Sequence, residues 1–293
     1  SCQNIRYKEV MKGIILAGGT GSRLYPLTIS CSKQLLPIFD KPLIYYPLTT
    51  LINIGVDDIL IICRKIDLKS FKDLLGNGKE FGIKIIYKIQ DKPKGIAEAF
   101  IIGQEFIKKE NVALILGDNI FHGLNYDKVS KFYNKIGATI FTYNVPDPEN
   151  YGVAYYRNNI VNKIIEKPKN PRSNSIVTGL YLYDNNIINI SKSIKPSKRK
   201  ELEISDVNNF YVKNKKMNSI KLQEGAIWID AGNPESLFRA SEYIKIVQER
   251  QNILIGSPHM SSYRMGLINR KKIIDISKKF KDTVYQKQIL LLL

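Results

Sequence analysis

Residues 16–26 read LAGGTGSRLYP and follow the apolar run Gly13-Ile14-Ile15. An apolar run opening straight into a glycine-rich loop is the pattern of a buried strand that delivers backbone N–H groups to an anion. Two well-known loops of this kind are excluded. A Walker A loop needs Gly-Lys-Ser/Thr at a spacing that is not met here. The dinucleotide fingerprint needs Gly or Ala at position 24, where Leu24 stands. What remains is a run of small residues, Gly18, Gly19, Thr20, Gly21 and Ser22, with Arg23 just beyond. The same run also suits a tight strand-to-helix turn that binds nothing.

Outward from this loop, strand-length apolar runs alternate with amphipathic segments. The spacing predicts strands over Met11–Ala17, Asp58–Cys63, Lys84–Ile89, Val112–Leu116 and Ala138–Val145, and helices over Leu43–Ile54, Asp67–Leu75, Ile96–Lys108 and Tyr126–Ile136. Pro42 suits the first turn of the first helix, and Pro47 should bend it. Strands rich in Val, Ile and Leu that alternate with helices predict a mostly parallel sheet covered on both faces. After about residue 150 the pattern changes. YGVAYY, IVNKIIEKP and VTGLYLYD are closely spaced and β-rich, which predicts antiparallel additions. EISDVNNFYVKN reads as a helix, and Pro234–Gln251 as a long amphipathic helix capped near Asn233. The expected class is therefore α/β: a Rossmann-like three-layer fold with a predominantly parallel mixed sheet, added antiparallel strands and a C-terminal helical appendage. Residues 1–10 read as an extension, 11–251 as one catalytic domain and 252–293 as a lysine-rich helical region on its outside.

Composition bounds the function. The 293 residues are 44% hydrophobic and 25% charged, which is ordinary for a globular protein with ample core. No apolar run reaches the ~20 residues of a membrane span, and the first ten residues lack the core of a signal peptide. The three cysteines, Cys2, Cys31 and Cys63, are sparse and unpatterned, which predicts a reducing, cytoplasmic setting without disulfides. No CxxC pair exists and His122 and His259 lie far apart, so a structural zinc site is not expected. The net charge of +18 is spread along the whole chain. That predicts a solvated basic surface with no nucleic-acid or membrane partner, and one that favours the arrival of small anions.

The next motif narrows the anion. SKQLLPIFDKPLIYYPL brings Lys33 close behind Arg23, and two cations near one glycine-rich loop suit a polyphosphate. LILGDN and AIWID each end an apolar run on an aspartate, Asp118 and Asp230. Carboxylates at the carboxyl ends of two strands can share one Mg²⁺ with substrate phosphates. Strand, LAGGTGSRLYPLT and SKQLLPIFDKPLIYYPL together resemble the signature of the sugar-1-phosphate nucleotidyltransferases, and within them the glucose-1-phosphate thymidylyltransferases. The resemblance covers residues 11 to about 250.

The resemblance implies transfer of a thymidylyl group from dTTP to glucose 1-phosphate, giving dTDP-glucose and pyrophosphate, at the entry to dTDP-rhamnose and deoxysugar synthesis. It implies that Asp118 and Asp230 hold Mg²⁺, and that Arg23 and Lys33 stabilise the transferring and leaving phosphates. Gln90 and Gly95 would read the thymine, with Gly18, Gly19, Thr20, Gly21, Ser22, Gln34 and Asn119 around the nucleotide. Lys167 would hold the incoming sugar phosphate. Gly152, Glu166, Val177 and Tyr181 would line the sugar pocket. The nucleotide side would span about 11–120 and the sugar side about 121–233. A homotetramer with a regulatory dTDP-sugar site at a subunit interface is implied too. Three positions depart from the family pattern: Lys94 for an acidic residue, Lys200 for a glycine, and Ala231-Gly232-Asn233 for Thr-Gly-Thr. Glu201 and Glu203 suggest a structural or inter-subunit role. The alternatives are the same chemistry with another base or sugar, such as UTP; a nicotinamide-dependent oxidoreductase, which lacks its fingerprint; and a basic nucleic-acid-binding protein.

Overall fold

The computed structural model describes residues 11–132 and 136–293. The expected extension over 1–10, with Cys2, and part of the expected helix reaching Ile136 lie outside the described residues. Among the described residues thirteen strands occur in chain order: β1 Met11–Ala17, β2 Pro37–Ile38, β3 Lys41–Pro42, β4 Asp58–Cys63, β5 Lys84–Ile89, β6 Asn111–Leu116, β7 Asn119–His122, β8 Ala138–Asn144, β9 Gly152–Arg157, β10 Ile160–Glu166, β11 Ser175–Tyr183, β12 Met217–Lys221 and β13 Ile227–Asp230. Nine of them form one sheet with the path β10-β9-β11-β6-β1-β4-β5, while β8 joins β11 to β12. The pairs β6–β1–β4–β5 are parallel. β11 runs antiparallel to β6, β8 and β9. The parallel half comes from crossover helices and the antiparallel half from the closely spaced runs after residue 150, as the periodicity implies.

Eleven α-helices cover the sheet among the described residues: α1 Tyr45–Asn53, α2 Leu68–Leu75, α3 Glu98–Ile102, α4 Gln104–Ile107, α5 Tyr126–Ser130, α6 Ile187–Ser193, α7 Ile204–Lys213, α8 Pro234–Gln251, α9 Pro258–Arg264, α10 Arg270–Ser277 and α11 Val284–Leu291. The structure places two prolines and one helix differently from the expectation. Pro42 lies in the β2–β3 pair, not in a helical turn. The helix starts at Tyr45, so Pro47 falls in its first turn, where an N–H has no intrahelical partner to lose. The segment 96–108 forms two short helices that meet at Gly103. A Cβ there would come within 3.0 Å of Ile14 Cδ1 on β1, so the chain breaks its turn to lie close on the sheet.

Hydrophobic clusters fill both faces. One packs Ile15, Ile61, Phe71, Leu51 and Ile115 beneath α1 and α2, and the other packs Ile14, Leu60, Phe100, Leu114 and Val207 beneath α3, α6 and α7. The C-terminal region is more than an outer covering, because Met260, Ile273 and Ile289 are buried in the first cluster. α8 starts on a reciprocal cap in which Asn233 accepts from Ser236 N and Ser236 accepts from Asn233 N. Among the described residues no helix is long and apolar enough to cross a membrane.

Candidate active site

β1 and β6 are adjacent and parallel, so the loop after Ala17 and the turn after Leu116 leave the sheet at the same edge. Gly117 N donates to Leu16 O at 2.9 Å and ties the two exits together. Carboxyl edges of parallel strands are where ligands collect in α/β sheets. Gly21 has φ of +65°, which a side chain would strain, and its carbonyl accepts from Thr28 Oγ1 at 2.7 Å. The turn Ser22–Leu24 then throws Arg23 outward into solvent.

A second, two-stranded sheet closes the site. β13 pairs antiparallel with β7, setting Asp230 opposite Asn119, the neighbour of Asp118. Ala231 N donates to Asp118 O at 3.0 Å. Lys33 Nζ forms an ion pair with Asp118 Oδ2. At Gly232 a Cβ would sit 2.9 Å from Arg23 Nη2 and 3.1 Å from Asp230 Oδ1, so Arg23 and Asp230 face each other across a residue that must stay small. Burial alone would push the Asp118 carboxyl up, but the Lys33 ammonium overrides it and holds Asp118 below the usual carboxylate range. Burial, and then the Asp118 charge, push Asp230 up to about 7, against the pull of Lys33, Arg23 and Lys167. Two carboxylates crowded this way, with three cations around them, suit a divalent cation shared between them. Among the described residues no three or more His, Cys, Asp or Glu side chains converge on one point. Two carboxylates completed by substrate oxygens is how Mg²⁺ is commonly held, so the residues present fit that ion.

The expected base-side residues gather beside the loop. Gln34 is buried and accepts from Ser32 Oγ at 2.5 Å, with its Cγ 2.9 Å from where a Gly117 Cβ would be. Gln90 Nε2 donates to Glu98 Oε2 at 2.7 Å, and Lys94 N donates to the same oxygen at 3.1 Å. A Cβ on Gly18 would fall 2.0 Å from Gln90 Oε1, so Gly18 and Gln90 form one wall. Gly95, at φ +102°, lies against Leu202, whose carbonyl oxygen would be 2.4 Å from a Cβ. Lys94 therefore contributes its backbone to this wall, and the segment after Arg199 backs it. Asn119 stands beside Asp118. Its amide is buried, donates to Asp118 Oδ1 at 3.1 Å, and accepts from Gly179 N and Trp228 Nε1. It lies among protein groups and orients a carboxylate.

On the sugar side, register places Glu166 opposite Gly152. A Cβ on Gly152 would be 3.2 Å from Glu166 Oε2, so the glycine keeps that carboxylate clear. Ser205 Oγ donates to Glu166 Oε2 at 2.5 Å, and Arg199 Nη2 lies 3.6 Å from Glu166 Oε1. The same guanidinium pairs with Glu203 at 2.8 Å and Glu201 at 3.5 Å, which makes those two glutamates part of the loop's own framework. Lys167 sits at φ +42°, a strained setting for a side chain, and its N–H holds Tyr151 O at 3.0 Å. Val177 and Tyr181 flank an irregularity in β11, and both are nearly buried. Burial first, and then the Glu166 charge, push the Tyr181 hydroxyl well up, which keeps it a neutral donor. Glu98, Ser205 and Trp228 escaped the sequence reading because each acts through another residue. Only Trp228 carried a signal, as the chain's single tryptophan two residues before Asp230.

The chain matches the family model described as nucleotidyl transferase over residues 12–246. It is 46% identical over 286 residues to a glucose-1-phosphate thymidylyltransferase of Neisseria meningitidis serogroup A, covering 97% of this chain and 99% of that one. A protein of the same name from Mycolicibacterium smegmatis is 42% identical, with coverage of 97% and 99%. Among solved structures, a Bacillus anthracis protein assigned as a glucose-1-phosphate thymidylyltransferase, in complex with sucrose, superposes with a TM-score of 0.76 at 43% identity, over 80% of this chain and 95% of that one. A UDP-glucose pyrophosphorylase complexed with UDP-glucose gives 0.72 at 25% identity, over 82% and 100%.

Proposed function

The chain belongs to the nucleotidyl transferase family, and from that premise we propose that it transfers a thymidylyl group from dTTP to glucose 1-phosphate, releasing pyrophosphate and forming dTDP-glucose. The observation that carries this reading is the convergence of Arg23, Lys33 and Lys167 on the Asp118–Asp230 pair, beside a glycine loop at the sheet's carboxyl edge. A phosphate oxygen of glucose 1-phosphate attacks the α-phosphorus of dTTP, and the bond to the bridging oxygen of pyrophosphate breaks. The attacking oxygen is already ionised, so no general base or covalent enzyme intermediate is needed. The chain's work is then positioning and charge stabilisation.

Arg23 stands over the glycine loop, where the transferring and leaving phosphates gather. Lys33 holds Asp118 ionised and adds charge at the same place. Lys167 takes the incoming sugar phosphate, and Glu166, fixed by Ser205, accepts from sugar hydroxyls. Gln90, anchored by Glu98, faces the base. A Mg²⁺ ion on Asp118 and Asp230 would supply electrostatic stabilisation to the nucleotide phosphates. A homotetramer with a regulatory dTDP-sugar site at a subunit interface is part of the same proposal and rests on the family resemblance.

The test is purified protein with Mg²⁺, glucose 1-phosphate and equimolar dTTP and UTP. Pyrophosphate release with dTDP-glucose as the main product is expected. UDP-glucose as the main product would move the assignment to the uridylyl reaction, and no release with either nucleotide would overturn it.

A further inference from the structure

Trp228 lies on β13, two residues before Asp230, and is 8% exposed. Its indole Nε1 donates to Asn119 Oδ1 at 2.7 Å, and Gly179 N donates to the same oxygen at 3.0 Å. Gly179 falls in the irregular stretch of β11, between Val177 and Tyr181, where the ladder to β8 is broken. Two N–H donors on one side of the Asn119 amide admit only its oxygen there, so the orientation of the amide is dictated by its neighbours. The NH₂ group must then face Asp118, and it donates to Asp118 Oδ1 at 3.1 Å. Lys33 takes the other oxygen. Both oxygens of Asp118 are thus held, one by a cation and one by an amide that an indole aims.

The indole is itself held. Tyr151 meets it edge-on with centroids 5.3 Å apart at 75°, and Tyr143 lies 6.2 Å away. Tyr151 is the residue whose carbonyl accepts from Lys167 N. The ring therefore stands between the Asp118 side and the sugar-phosphate side of the site.

We propose that Trp228 is a positioning residue: through its indole N–H it fixes the Asn119 amide, which fixes the rotation of the Asp118 carboxylate and so sets the site's affinity for a divalent cation. The proposal rests on the reading of Asp118 as a metal carboxylate. Groups that orient metal ligands typically contribute 10–100-fold to metal affinity.

The test is titration of Mn²⁺ into protein saturated with dTTP, read by Mn²⁺ electron paramagnetic resonance, with thermal melting alongside. Trp228→Phe keeps a ring and loses the donor, and its Mn²⁺ affinity is expected to fall by about 10–100-fold. Asn119→Ala should fall similarly, and the double variant should lose no more than Asn119→Ala alone, because both changes break one chain of contacts. Asp118→Asn should bind weakest. A lower melting temperature for Trp228→Phe with wild-type Mn²⁺ affinity would make the tryptophan merely structural and overturn the proposal. Additive losses in the double variant would overturn it as well. If Trp228→Phe fails to fold, Asn119→Ala alone decides, and unchanged Mn²⁺ affinity there overturns it. No Mn²⁺ binding by the wild type, or equal binding by Asp118→Asn, would instead bring down the metal reading beneath it.

Discussion

Arg23 shows how a single residue's role follows from what surrounds it. It is exposed, it follows a left-handed glycine, and it faces Asp230 across Gly232. A cation in that place contributes little to folding and much to a phosphate passing by. Arg23→Ala should therefore lower kcat by about 10²–10³, as loss of one preorganised charge-stabilising donor does. Its melting temperature should match the wild type. A near-normal rate would remove Arg23 from the reacting centre. Arg23 and the two aspartates stood out in the sequence because each ends or follows an apolar run, and Lys33 because it lies close behind Arg23; each carries the charge that phosphate chemistry needs. Asn119, Glu98 and Ser205 were not legible as supports. Their roles depend on which side chain lies across the fold from them, and spacing along one chain says nothing of that.

At the scale of elements, the C-terminal helices are docked by a buried polar relay as well as by apolar contact. Ser257 Oγ and Tyr285 OH are 2.6 Å apart, Tyr285 OH lies 2.9 Å from His259 Nδ1, and His259 Nε2 lies 3.1 Å from Glu80 Oε1. Burial holds the imidazole below its ordinary value, so the relay runs with a neutral ring that donates from Nε2 to Glu80. His259 first, and then Lys279, hold Glu80 down at about 2. An imidazolium is disfavoured in this setting, so Lys279 supplies the charge and His259 the hydrogen bond. The sign follows from both groups. Glu80 has a folded value below its unfolded one, so the stability it contributes is present above about 4.5 and is lost as pH falls toward 2. His259 is also depressed, so its contribution fades as pH falls below 6.5. Glu80→Gln should melt below the wild type at pH 7, and the gap should close as pH falls from 4.5 toward 2. A gap independent of pH would contradict the relay. Sequence periodicity found β4 and β6 because their apolar runs are unbroken. It missed the break at Gly103, where the chain lies close on β1, and the placement of Pro42 and Pro47, which follows from the β2–β3 pair and from a helix that starts at Tyr45.

Over the whole molecule, a parallel half supplies the loop and the first aspartate, and an antiparallel half supplies Glu166, Lys167 and the tyrosines. The two halves share β11 beside β6, so nucleotide and sugar residues are fixed to one sheet. This division was legible from the switch in pattern near residue 150. The small β7–β13 sheet was not, because its partners are far apart in the chain and only pairing brings Asp118 and Asp230 together. The net charge of +18 acts at this scale too. Raising ionic strength above about 0.1 M, where screening reaches ~10 Å, should lower kcat/KM for dTTP with kcat little changed. A salt-independent kcat/KM would confine the attraction to the site itself. The central claim is direct displacement at the α-phosphorus. With dTTP labelled at the α-phosphorus, Mg²⁺ and glucose 1-phosphate, the label is predicted to appear in dTDP-glucose with unlabelled pyrophosphate released; label found in pyrophosphate, on the enzyme or in unreacted dTTP alone would contradict it.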